Sequence, residues 1–391
     1  MSKRNIINML FSPSKYSMKI FIDNWGFENR GDQLMIMSVV EQIKKYAPDA
    51  QILVLKRVFD QNHSYCIQNK LFPLQPKNSG IRNSKTYSWI VNLLLRDEWI
   101  NTPRQVDLIL NCRGYYIADC WIKNDDFVRS AEIFYKQFNK KGRRLIMLPQ
   151  AFGPFENEPS KAMMNFICQQ ADKIYAREKQ SFEYLSKVCP DTDKIEVVPD
   201  FTCVCHAENN PSIQLPKKNY VLIIPNARMI DKTSANVSDS YLLFLTQIIR
   251  DILKKGENVY LLNHEGKNDE QLLHIINDEF SGSLPILTNL MGTEIKALIK
   301  DCKLLISSRY HGVVSGLTQG VPTLCTSWSH KYEQLLKEHG CENNILDVND
   351  ISKSISIIED ALAHSSAYSS KGGCEEKIEY MVKKMWADVF E

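Results

Sequence analysis

The sequence predicts an α/β chain folded as two Rossmann-like lobes, and three observations carry that prediction. Short apolar runs alternate with amphipathic helical patterns along nearly the whole chain, the pattern of a doubly wound parallel sheet. The alternation lapses between 200 and 218 into Cys, Asn, Pro and polar residues, and then resumes. At 391 residues the chain is long for one domain and comfortable for two.

Residues 18–22 read as a buried strand, and 32–46 carry helix periodicity with Leu34, Ile36, Met37, Val40 and Ile43 on one side. The loop 23–31 between them holds two glycines, and 51–55 is a second strand. This β-loop-α-β opening implies a right-handed crossover and a parallel sheet. The polar stretch 58–83, with Pro73 and Pro76, reads as an irregular surface excursion, and a helix is expected over 87–98. Strands at 106–110, 144–148, 173–176 and 195–198 then alternate with helices at 127–141, 161–170 and 179–187.

Pro211 and Pro216 mark the lapse as a linker. Beyond it come a strand at 220–224, an amphipathic helix at 241–254 with Gly256 as a natural C-cap, and a strand at 258–262. Helices at 269–278 and 294–300, a strand at 303–306, a helical pattern at 313–320 and a short strand at 323–325 follow. The stretch 377–390 places Ile378, Met381, Val382, Met385, Trp386 and Val389 on one helical face and is expected to pack back across the lobes. The expected division is an N-terminal lobe over 1–205, a linker over 206–217, a C-terminal lobe over 218–370 and a final helix over 371–391. Ligands are expected at the carboxyl ends of the strands, in a central cleft.

Composition narrows the function classes. A formal net charge of +2 provides no global field for nucleic acid or an anionic membrane, so anion affinity has to be local. Basic residues are not interleaved with aromatics in a stripe, which argues against a nucleic-acid groove. Lys3 and Arg4 followed by 6–11 read as a leader to the first strand, and no apolar run reaches the roughly 20 residues of a membrane span. Peripheral contact with the inner membrane, through the acceptor, stays open without a sequence feature of its own to support it. The eleven scattered cysteines, among them Cys112, Cys168, Cys302 and Cys325 in apolar runs, read as reduced, buried thiols of a cytoplasmic protein. Cys203-Val204-Cys205-His206 lacks the spaced second half of a metal site, so no metal is expected.

Four strand-end loops carry residues suited to chemistry. In Asn29-Arg30-Gly31-Asp32, Gly31 permits close backbone approach, and Asp32 reads as an N-cap or as an acceptor for a sugar hydroxyl or its proton. In Pro149-Gln150-Ala151-Phe152-Gly153-Pro154 a stiff loop holds the Gln150 amide in place. In Ala176-Arg177-Glu178, with Ser181, the guanidinium either binds a carboxylate or phosphate or pairs with Glu178 or Asp200. In Ser308-Arg309-Tyr310-His311-Gly312 a permanent cation stands two residues from an imidazole able to give and take protons near neutrality. The alternative for His311 is a core histidine bonded to a backbone carbonyl. Lys331, beyond the 323–325 strand, adds positive charge to the same rim. There is no G-x-S-x-G elbow, Walker loop or H-E-x-x-H.

Taken in order, Asn29-x-Gly31-Asp32, Leu148-Pro149-Gln150-x-x-Gly153-Pro154, Ala176-Arg177-Glu178-x-x-Ser181, Pro199-Asp200, and Ser308 to Gly312 through Gly320-Val321-Pro322 to Lys331 resemble the polysaccharide pyruvyl transferase family. The resemblance spans about residues 18 to 340. It implies a fold similar to the two-lobed GT-B glycosyltransferases, and transfer of the enolpyruvyl carbons of phosphoenolpyruvate onto a sugar diol as a ketal, with no cofactor. It places Arg177, Arg309 and His311 at the phosphoenolpyruvate-binding and catalytic positions. The step also needs a base for the acceptor hydroxyl, and Asp32 or Asp119 is the candidate. Where the family tends to carry a glycine cluster, this chain has Asn111-Cys112-Arg113-Gly114-Tyr115-Tyr116, with Asp119 downstream. The expected acceptor is a glycan or lipid-linked oligosaccharide; the oligomeric state is not set by the sequence. The rival reading is a GT-B glycosyltransferase using a nucleotide sugar, and a third is a non-catalytic sugar-binding protein.

Overall fold

The computed structural model describes residues 18–76, 101–209, 219–329 and 331–391. The expected N-terminal leader, the helix over 87–98 and the linker prolines lie outside the described residues. The chain divides into two compact units. The first comprises Met1–Phe27, Val39–Pro199 and Met385–Glu391, and the second Glu28–Ser38 and Asp200–Lys384.

The first unit is built on a parallel sheet of strands β1 (Lys19–Asp23), β2 (Gln51–Leu55), β3 (Leu71–Leu74), β4 (Leu108–Asn111), β5 (Arg144–Gln150), β6 (Lys173–Ala176) and β7 (Ile195–Val197). Their spatial order is β3-β2-β1-β4-β5-β6-β7, so the connection reverses between β1 and β4, the switch point at which such sheets take ligands. All five residues of β2 are buried, as expected of a parallel strand covered on both faces. The helices of this unit include α1 (Arg30–Tyr46), whose first turns belong to the second unit, α2 (Lys56–Gln61), α3 (His63–Gln68), α4 (Asp125–Lys136), α5 (Glu158–Gln170) and α6 (Lys179–Val188).

Two expectations are corrected here. Over its described residues, the supposed irregular excursion after β2 is α2, α3 and the edge strand β3. Pro73 lies inside β3, paired with Val54; an edge strand tolerates the missing N–H that would break a central one. Cys168, expected as a reduced thiol, is bonded to Cys189. Cys168 lies in the last turn of α5 and Cys189 caps α6, and their Cα atoms stand 5.8 Å apart, within disulfide reach. The other nine cysteines are free.

The second unit repeats the plan with β8 (Tyr220–Ile224), β9 (Asn258–Leu262), β10 (Ile286–Leu287), β11 (Leu304–Ser307) and β12 (Thr323–Cys325). The order β10-β9-β8-β11-β12 puts a second switch point between β8 and β11. Its helices are α7 (Arg228–Asp231), α8 (Ala235–Lys254), α9 (Gly266–Asp278), α10 (Gly292–Asp301), α11 (Tyr310–Leu317), α12 (Lys331–Glu338), α13 (Ile351–Ala363) and α14 (Cys374–Phe390). Periodicity missed the four-residue α7, α12, α13 and the two-residue β10. Gly256, at φ +78°, follows the end of α8, where the left-handed backbone suits glycine. The last turns of α14 return to the first unit, where Trp386 and Val389 are buried and Phe390 stacks on Tyr46 with ring centroids 5.7 Å apart. No described helix is long and apolar enough to cross a membrane.

Candidate active site

In the second unit the loop after β11 stands at the β8–β11 switch point. Ser307 sets its shape: its hydroxyl accepts from the Arg309 N–H at 3.0 Å and donates to the Arg309 carbonyl at 3.0 Å. Ser308 is buried, its hydroxyl bonded to those of Tyr241 (2.6 Å) and Thr326 (2.7 Å), and its carbonyl accepts from Asn226 and Tyr332. Gly312 packs against the Ser307 hydroxyl, where a Cβ would come within 2.6 Å. Both residues, expected to bind substrate, brace the loop.

Arg309 was expected to clamp an anion. Its Nε donates to Asp269 Oδ2 at 2.8 Å, Nη2 reaches Asp269 Oδ1, and Nη1 contacts Glu265. The fork is thus occupied by carboxylates of the chain itself. Burial works against both charges, pulling the guanidinium down and pushing the Asp269 carboxyl up, so the two-pronged contact is made at a desolvation cost.

His311 opens α11 and points its Nε2 toward Asp200, 3.6 Å from Oδ2. Asp200 is fixed in turn, since its Oδ1 accepts from the Thr202 N–H (3.0 Å) and hydroxyl (2.6 Å). On its other side the imidazole lies against Gly31: a Cβ built there would stand 2.2 Å from His311 Nδ1. A buried carboxylate therefore faces the ring that a glycine admits.

The start of α1 belongs to this cluster. The helix begins two residues earlier than its periodicity suggested, and Asn29, not Asp32, caps it. The Asn29 side chain accepts from the N–H of Gly31 (2.7 Å) and Asp32 (3.4 Å), which frees Asp32 from the capping expected of it. Asp32 is half-buried, and burial raises its carboxyl to about 7 against the opposing pull of the Lys331 ammonium. Lys331 lies 4.3 Å from the Trp328 ring centroid and 5.3 Å from that of Tyr310, a cation held on aromatic faces.

The remaining predicted residues belong to the first unit. Gln150 is fully buried, its amide donating to Asn111 Oδ1 at 3.0 Å. Asn111 in turn donates to Asp23, which also holds Arg113 and Tyr135. Arg113 lies over Trp25 at 4.7 Å and Tyr116 at 5.3 Å, so the residues that replace the expected glycines form a closed ion-pair and aromatic network. Arg177 is buried with Nε 3.6 Å from Glu178 Oε2. Gly153, at φ +87°, passes the Tyr184 ring so closely that a Cβ would stand 2.6 Å from it, and its carbonyl accepts from Tyr115. Asp119 accepts from the N–H groups of Phe155, Glu156 and Asn157 and from the Ser160 hydroxyl. Burial opposes its charge, but these bonds hold the carboxyl below its usual range. That geometry makes Asp119 a tie for the loop after β5.

Sequence reasoning missed Glu265, Asp269 and His264. The loop 263–266 follows β9, the same strand-end signal that located the other four loops. The Cys203-Cys205 segment has another role: the buried Lys296 ammonium donates to the carbonyls of Thr202, Cys203 and Cys205 at 2.7–3.1 Å.

Comparison with known proteins bears on this cluster. The model of the family described as polysaccharide pyruvyl transferase matches residues 29–330. The amylovoran biosynthesis protein AmsJ of Erwinia amylovora is 19% identical over 376 residues, 85% of this chain and 89% of that protein. Among solved structures, the UDP-GlcNAc 2-epimerase of Methanocaldococcus jannaschii is similar at 15% identity and a TM-score of 0.58, covering 94% of this chain and 99% of that one. HepE of Anabaena is similar at 13% identity and a TM-score of 0.59, with 96% and 98% covered. These structures establish the GT-B-like fold of two Rossmann-like lobes.

Proposed function

Because this chain belongs to the polysaccharide pyruvyl transferase family, we propose that it forms a pyruvate ketal on a sugar of a surface polysaccharide or its lipid-linked precursor. Phosphoenolpyruvate is the donor and inorganic phosphate the product. The observation that carries this reading is the convergence of His311, Asp200, Asp32 and Lys331 within the second unit, on motifs that lie inside the matched 29–330 span. The name of AmsJ, a polysaccharide biosynthesis protein, supports the pathway class, and the reaction belongs in the cytoplasm, where phosphoenolpyruvate is made.

Ketal formation needs a proton on the methylene carbon of phosphoenolpyruvate, which leaves an oxocarbenium-like carbon. Two sugar hydroxyls add to that carbon, the C–O bond to phosphate breaks, and the two hydroxyl protons end on the new methyl group and on phosphate. His311, with Asp200 facing its ring, is the general acid, and Asp32 receives a hydroxyl proton. Lys331 contributes positive charge, while the fork of Arg309 is taken by Asp269 and Glu265. Arg177 enters on the family motif alone.

The test is incubation with phosphoenolpyruvate and the organism's lipid-linked oligosaccharides, with mass measurement of added pyruvate and assay of released phosphate. Release of a nucleoside diphosphate from a nucleotide sugar, without pyruvate transfer, would replace this reading with glycosyl transfer. His311→Gln should lower turnover roughly 10²–10⁴-fold, and near-normal turnover in the folded variant would remove His311 as the acid.

A further inference from the structure

The two carboxylates that hold Arg309 are fixed in different ways. Asp269 stands in the first turn of α9 and is 1% exposed. It takes two donors of the fork, Nε and Nη2, and its Oδ1 also accepts from the Ala227 N–H at 3.0 Å. Glu265, just before α9, takes the remaining Nη1, and its side chain is 29% exposed. Withdrawing Asp269 would leave two buried charges apart, which is costly. Glu265 needs only to turn into solvent, and a partly exposed ion-pair contact is worth little.

The backbone need not follow that turn. Asn29 and Glu265 form an antiparallel bridge, and the Arg30 N–H donates to the adjacent His264 carbonyl at 3.3 Å. The next residue, Gly31, lies against the His311 ring. The loop that carries Glu265 is thereby pinned to the segment that receives the imidazole, while the carboxylate at its tip is free to exchange. With both carboxylates charged, one guanidinium faces two negative groups, and a further anion gains nothing from Arg309. Departure of Glu265 leaves a neutral pair whose Nη1 is already placed for a carboxylate oxygen.

We propose that Glu265 is an exchangeable occupant of Arg309: its carboxylate leaves Nη1 when the carboxylate of a small ligand binds there, with Asp269 holding the guanidinium from behind. The position of the Glu265 carboxylate then marks a carboxylate subsite, and Glu265 sets the affinity of that subsite. The proposal rests on the pyruvyl-transfer reading only for naming phosphoenolpyruvate as the ligand.

Calorimetric titration of wild-type protein, Glu265→Ala and Glu265→Gln with pyruvate, phosphoenolpyruvate and inorganic phosphate tests the exchange. Glu265→Ala should tighten pyruvate and phosphoenolpyruvate by roughly 3–30-fold, between the worth of an exposed ion pair and that of a hydrogen bond to a charged group, and leave phosphate unchanged. Glu265→Gln, neutral but still able to accept from Nη1, should give a smaller gain. Unchanged or weaker binding of the two carboxylates in Glu265→Ala would make Glu265 a support for Arg309 and overturn the proposal. Equal tightening of all three ligands would reduce the effect to a general loss of negative charge and overturn it as well. Should Glu265→Ala fail to fold, Glu265→Gln decides by the same criteria. Tighter pyruvate binding in the variant of a protein whose wild type transfers no pyruvyl group upholds the exchange and sinks the transfer reading, whereas unchanged binding in an active enzyme overturns the exchange alone.

Discussion

Asp32 and His311 reach the same place by different physical routes. Burial raises the Asp32 carboxyl to about 7, so if it serves as base, the rate should climb with pH through that region. Asp32→Asn should remove the acidic limb of the kcat/KM profile; an unchanged limb would assign it to another group. The stability sign runs the other way. A carboxyl raised in the folded state favours folding while protonated, so its contribution is full below the usual carboxylate range and fades as pH rises toward 7. Asp32→Asn should flatten that fall in unfolding midpoints measured from pH 4 to 7. At Gly31 the argument is steric. A Cβ 2.2 Å from His311 Nδ1 must push the imidazole aside, and because a misplacement of about 1 Å can cost 10²-fold, Gly31→Ala should lower turnover by roughly that factor. Single-turnover assays on protein with a retained far-UV spectrum will check it.

At the scale of elements, α1 is the piece that brings site residues to the second unit, and its cap decides where it begins. Asn29 satisfies two N–H groups of the first turn with its side chain. Asn29→Ala should therefore destabilise the fold by about 1 kcal/mol, read as a drop in denaturation midpoint, with a smaller effect for Asn29→Ser or Asn29→Asp, which can still cap. Periodicity located α1 but misplaced its start by one turn-half, because Arg30 and Gly31 are not apolar and the cap lies outside the repeating pattern. The same limit explains β3. A four-residue edge strand containing Pro73 gives no alternation to detect, and only its pairing with β2 reveals it.

Across the whole molecule, the chain returns to its first unit at the end. Met385, Trp386 and Val389 are all at most 1% exposed in residues Met385–Glu391, which cluster with the N-terminal strands' unit. Trp386→Ala should cost about 3–5 kcal/mol in the transition of that unit, followed by chemical denaturation; a shift confined to the second unit's transition would contradict the assignment of these residues.

The sequence by itself determined the two parallel α/β units and the strand-end loops, because hydrophobic periodicity and turn chemistry are local and leave their mark within a few residues. It also placed His311 and Asp32 among the candidates by residue type. Tertiary structure decided what each side chain does there. The partners of Arg309 lie 40 and 44 residues away, and those of Asp119 36 to 41 away, separations at which no local pattern survives. Whether a guanidinium or a carboxylate is available to a ligand depends on which charges the folded chain brings beside it, and that pairing left Arg309 occupied and Asp119 tied to a loop.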